Sequence, residues 1–134
     1  MLREINNIKQ NDNENHRFWF QSSFFDLILW CDKSENITRF ELCYSLHRNE
    51  KVFIWSYKTG YDVKLVDDGE GINQCGKKMS AIYSSYNIDF DKLNILEQFI
   101  QESDLIKSHK ITQVIIKIAE FKLNDTCSTI IKDI

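Results

Sequence analysis

Up to about residue 88 the apolar positions mostly alternate with polar ones, the period of a half-buried strand, and from residue 89 they recur in steps of three and four, the period of a helix. The first stretch, LREINNIK at 2 to 9, spaces Leu2, Ile5 and Ile8 three apart; it suits a helical turn about as well as a poor strand, and strand is the preferred reading. Asn and Asp residues at 11 to 15 predict a loop. HRFWFQS after them sets Phe18 and Phe20 against Arg17, Trp19 and Gln21, which predicts a strand.

The densest pattern is FFDLILWCDKSENITRFELCYSLHRNEKVFIW at 24 to 55. KSEN at 33 to 36 reads as a turn, and pairing Lys33 with Asn36 sets Leu29 opposite Phe40, Leu27 opposite Leu42 and Phe25 opposite Tyr44. HRNE at 47 to 50 reads as a second turn, and pairing His47 with Glu50 sets Tyr44 opposite Phe53, Leu42 opposite Trp55 and Phe40 opposite Tyr57. Both registers put Phe25, Leu27, Leu29, Cys31, Phe40, Leu42, Tyr44, Phe53, Trp55 and Tyr57 on one face. That face is the expected core, since each large apolar side chain fully buried contributes roughly 1.5 to 3 kcal/mol. A slip of one residue would put polar groups into it.

YDVKLVDDGEG predicts a further strand after a tight turn at Thr59-Gly60, and KKMSAIYSS another. Phe90, Leu93, Leu96 and Ile100 then mark an amphipathic helix over about 90 to 103, with Asp89 available as its N-cap. Ile111, Val114, Ile115, Ile118 and Ala119 mark a second helix, against the weak helix propensity of its β-branched residues. The expected architecture is α+β: an antiparallel meander sheet of about five to seven strands over residues 1 to 88, and two helices over 89 to 123 packed on one face. Residues 124 to 134 are expected to be a loosely attached tail.

A length of 134 residues makes this one domain that needs no metal or disulfide to bury a core, so no cofactor is expected. The formal net charge of −3 argues against a protein built to neutralise nucleic-acid phosphates, and Lys77-Lys78 is the lone cluster of basic residues beyond single positions. The start of the chain carries charges and amides where a signal peptide needs an apolar run, and no segment approaches the ~18 apolar residues of a membrane span. A cytoplasmic location follows as the expectation, with Cys31, Cys43, Cys75 and Cys127 as reduced, buried side chains.

RFWF at 17 to 20, FDLILW at 25 to 30, FELCY at 40 to 44, DDGE at 67 to 70 and KKM at 77 to 79 together resemble a family of small, uncharacterised bacterial proteins. The resemblance covers about residues 1 to 90 and implies a bacterial, cytosolic protein, without an activity to carry over.

On the face opposite the expected core lie Asp26, Ile28 and Trp30, then Arg39, Glu41 and Cys43, then Val52, Ile54 and Ser56. Arg17, Trp19, Asp26, Trp30 and Arg39 form the leading recognition set there, because Trp and Arg dominate binding hot spots. The bland reading is a surface cation–π contact of Arg39 on Trp30 and tryptophans packed under neighbouring segments. The competing site is the loop of Asp67, Asp68 and Glu70 with Lys77 and Lys78, whose carboxylates suit a hard cation or acid/base chemistry; an Asp-Gly turn explains it as well. The spacing matches neither a calcium loop nor a phosphate-binding loop, and His16, His47 and His109 lack zinc-site spacing. Cys43 near Asp26 is the best thiol, but a neighbouring carboxylate would suppress its thiolate. The sequence thus favours a non-enzymatic binding or regulatory module that engages a protein partner or itself, with a small enzyme or ligand-binding protein using the 67 to 78 loop as the alternative.

Overall fold

A computed structural model describes residues 1–6, 8–10, 15–46, 50–66, 82–84 and 90–122, with backbone alone at 66 and 82–84. Seven antiparallel strands follow in chain order across one sheet: β1 (Arg3–Ile5), β2 (His16–Gln21), β3 (Asp26–Cys31), β4 (Ile37–Tyr44), β5 (Lys51–Ser56), β6 (Gly60–Val66) and β7 (Ile82–Ser84). Two helices, α1 (Lys92–Glu102) and α2 (His109–Glu120), cover one face of the sheet, so the α+β meander is the fold. The ambiguous first segment is a short edge strand, with Leu2 behind it buried in the core.

The β3–β4 hairpin pairs Leu29 with Phe40 and Leu27 with Leu42, as the alternation requires. Its turn is one residue longer than KSEN. Asp32 closes it, its carboxylate accepting from the N–H groups of Ser34 and Asn36, and Glu35 takes a left-handed φ of 66°. The longer turn pairs Cys31 with Ile37, and a bulge restores the register at Trp30 and Arg39. Thr38 is the extra residue, and it reverses the alternation so that Ile37 enters the core while Arg39 stays on the opposite face.

In the β4–β5 hairpin the expected register is corrected by two residues: Tyr44 pairs with Lys51, Leu42 with Phe53 and Phe40 with Trp55. A slip of two leaves every side chain on its own face, so hydrophobic pattern cannot detect it; the length of the connection decides. Ser45 turns out of the strand at φ 56°, which starts the connection earlier than a tight turn at 47 to 50 would. Tyr57 leaves the expected core and is 64% exposed in the turn to β6, where Gly60 adopts φ 82° as that turn's left-handed residue.

The core lies between the sheet and the helices, around Phe25, Leu27, Leu29, Phe40, Leu42 and Phe53. From α2 it receives Ile111, Val114 and Ile118 with Ile115 beside them, as the spacing predicts, while Ala119, expected on the same stripe, is exposed. In α1 the expected stripe is corrected: Leu93 is 75% and Ile100 45% exposed, while Phe99 is fully buried with Ile95 and Leu96 beside it. Two apolar stripes compete on this helix, and the one that carries the aromatic ring faces inward because it removes more surface from water. Asp91 caps α1, accepting from the Asn94 N–H; Asp89 lies outside the described residues.

Candidate functional site

The ladder arranges the face away from the helices in rows. Arg17, Trp30, Arg39, Ser56 and Gly60 follow one another across β2 to β6; beside them run Trp19, Ile28, Glu41, Ile54 and Asp62, and then Gln21, Asp26, Cys43, Val52 and Lys64. This face was expected to be half polar and open, which holds only in part: Arg17, Trp30 and Arg39 of the first row are half-exposed, while Ser56 is buried. Ile28, Glu41, Ile54, Asp26, Cys43 and Val52 are all buried, so the second and third rows offer little to a partner.

The recognition set divides along the same line. Trp19 donates its indole N–H to the Asp26 carboxylate, which satisfies two half-sequestered polar groups at once and fixes both side chains. Arg17 sits opposite Trp30 and is anchored by its own neighbours: a guanidinium nitrogen donates to the Lys9 carbonyl at 2.6 Å, and its backbone exchanges hydrogen bonds with the Gln10 side chain. Arg39 lies on the other side of Trp30, with its guanidinium carbon 5.5 Å from the centre of the Trp30 ring. Two of its nitrogens donate to one oxygen of the buried Glu41 carboxylate. The structure thus brings Arg17, Trp30 and Arg39 together and assigns Trp19 and Asp26 to each other.

A cleft of about 440 Å³ opens at this first row, lined by Asn15, Trp30, Thr38, Arg39, Ser56, Tyr57 and Lys58. Its walls follow from the bulge. Thr38 accepts from the Asn15 amide at 2.8 Å and donates to the Trp30 carbonyl at 3.3 Å, while its own carbonyl holds the Tyr57 N–H at 3.0 Å. The extra residue in β4 therefore ties the start of β2 and the β5–β6 turn to the rim around Trp30. Lys58 lies 5.8 Å over the Tyr57 ring, and its backbone N–H donates to Ser56 Oγ. Asn15, Thr38, Ser56, Tyr57 and Lys58 were not singled out in the sequence; the signal available was SYKTG, an aromatic and a lysine placed at a turn rather than inside a strand.

The competing set of Asp67, Asp68, Glu70, Lys77 and Lys78 lies outside the described residues. Among the described residues no three His, Cys, Asp or Glu side chains converge as a metal-binding group. Cys43 is corrected from a reduced thiol to a disulfide-bonded one. Cys31 is free and buried, and desolvation pushes its thiol from 9.0 up to about 11, with Asp32 and Glu35 adding to the rise and Lys110 opposing it. A thiol so raised is a poor nucleophile at neutral pH. None of the helices among the described residues is long and apolar enough to cross a membrane.

Comparison with protein-family models, curated proteins and solved structures finds no match for this chain.

Proposed function

We propose that the protein is a non-enzymatic recognition module that engages a protein partner, or a second copy of itself, through the cleft around Trp30. The observation that supports this is the meeting of an incompletely buried Trp30, Arg39 and an exposed Tyr57 in one cleft whose rim is held by side-chain hydrogen bonds. A tryptophan and an arginine on a rigid strand pair offer a large contact area at little entropic cost, the combination that concentrates binding energy in interfaces. The bacterial, cytosolic setting implied by the sequence resemblance belongs to the same proposal, and the disulfide at Cys43 counts against its cytosolic part.

The test compares proteins captured from lysate of the source cells by the wild type and by Trp30→Ala and Lys58→Ala variants whose circular dichroism matches the wild type. A protein retained by the wild type and lost from both variants is the expected result; sedimentation of the same samples identifies self-association. Identical captured sets from all three would remove this reading.

A further inference from the structure

Resting on that reading, we infer that the cleft takes a carboxylate-bearing acidic segment of a protein partner. The balance of hydrogen-bond donors and acceptors carries the inference. A guanidinium has five N–H donors; Arg39 gives one from Nε and one from Nη2 to Glu41, and the rest have no partner among the described residues. The Trp30 indole N–H and the Lys58 ammonium likewise make no hydrogen bond among the described residues, and the Ser56 hydroxyl accepts from Lys58 while keeping its own proton for a ligand. Thr38 is already satisfied in both directions, and the Asn15 amide has given one N–H to it. A lining this rich in donors calls for a ligand rich in acceptors.

Charge points the same way. Arg39 and Lys58 line the cleft with Trp30, no carboxylate among the described residues is in its lining, and the two carboxylates of the adjoining row, Glu41 and Asp62, are paired with Arg39 and Lys64. The charged side chains lining the cleft are therefore cationic, which draws acidic groups to it. Carboxylates fit better than a nucleic acid, whose backbone needs a basic track that follows many phosphates, whereas these cations flank a single cleft. The remaining planar edge of Arg39 suits a carboxylate, and the rings of Trp30 and Tyr57 suit apolar side chains next to it.

The experiment is selection of a random-peptide display library on the intact protein, followed by titration of the ¹⁵N-labelled protein with the enriched peptides and with copies whose Asp and Glu are replaced by Asn and Gln. Enriched peptides are expected to exceed the library in Asp and Glu, to shift the amides of Asn15, Thr38, Arg39, Ser56, Tyr57 and Lys58, and to bind roughly tenfold more weakly as amides, at high salt or to Lys58→Gln. Neutral or basic enriched peptides, equal binding of acid and amide copies, shifts confined to another surface, or stronger shifts of the same amides with oligothymidylate would each overturn the inference. The two proposals fail separately. A captured partner lost from Trp30→Ala, together with equal binding of acid and amide peptides, removes the acidic ligand and leaves the recognition module standing.

Discussion

Arg39 holds Glu41 with part of its guanidinium and covers Trp30 with the rest, so its removal acts on stability as well as on binding. The Glu41 side chain is 4% exposed and that of Arg39 38%, which places the carboxylate inside and its partner at the boundary. Arg39→Ala is expected to cost about 1–3 kcal/mol in a urea melt, the penalty for a buried acceptor that loses a charged donor. Arg39→Lys should recover only part, because an ammonium cannot reproduce the fork; full recovery would show that charge alone matters. Cys31 gives the expected pH response. Its folded pKa lies above its unfolded one, so the contribution of the protonated thiol to stability is complete below pH 9.0 and is lost as pH rises toward about 11. Alkylation mapped by mass spectrometry should leave Cys31 unmodified at pH 8 in native protein and modify it in urea, and equal rates in the two states would contradict its burial.

At the scale of elements, Thr38 does more than any other single position to set the site. Deleting it should restore plain alternation in β4 and force a choice between Ile37 in the core and Arg39 over Trp30. The expected loss is roughly 1.5–3 kcal/mol, one large apolar side chain, with the Asn15 to Tyr57 rim dispersed in amide spectra; an unchanged melt would mean that the bulge relocates freely. Gln113 of α2 makes the complementary tie, accepting from the Ile37 N–H at 2.9 Å and donating to the Glu35 carbonyl at 3.0 Å. Gln113→Ala is expected to cost about 1–3 kcal/mol, since it leaves a buried backbone donor without its partner, and hydrogen exchange at Ile37 should quicken more than at Leu42. These same features mark how far the sequence could be read. Alternation fixes which face each residue occupies, so the core strands and α2 were legible. A slip of two residues and the choice between two stripes of α1 leave that alternation nearly unchanged, while the longer turn breaks it only at the Thr38 bulge; they are decided by turn geometry and by the size of Phe99. The cleft was legible at Trp30 and Arg39, with Arg17 beside it on β2, while Tyr57 was hidden because a tyrosine continuing the core alternation reads as core until the turn is placed.

Over the whole molecule, one aromatic cluster joins the two layers. Phe53 of β5 stacks on Phe90 at 4.6 Å and meets Phe121 edge-on at 5.0 Å, while Tyr61 of β6 lies 5.1 Å from Phe121 and donates its hydroxyl to the Lys117 carbonyl. Phe90 precedes α1 and Phe121 ends α2, and Lys92 closes the arrangement by donating to the carbonyls of Ala119 and Phe121. Both helices are thus fastened to the sheet at the point where one begins and the other stops. With the larger apolar core lying between the two layers and, among the described residues, only a small cluster of Cys43, Val52 and Ile54 on the sheet's other face, the two layers should unfold together. All 3 tryptophans lie in strands, at Trp19, Trp30 and Trp55, so their fluorescence reports the sheet while ellipticity at 222 nm reports mainly the helices. Phe121→Ala is expected to lower stability by about 3–5 kcal/mol, the range for a buried phenylalanine, and to leave the two denaturation curves superimposed at a lower midpoint. If ellipticity were lost first and fluorescence kept its original midpoint, the helices would be a detachable layer, and the site around Trp30 would owe its shape to the sheet alone.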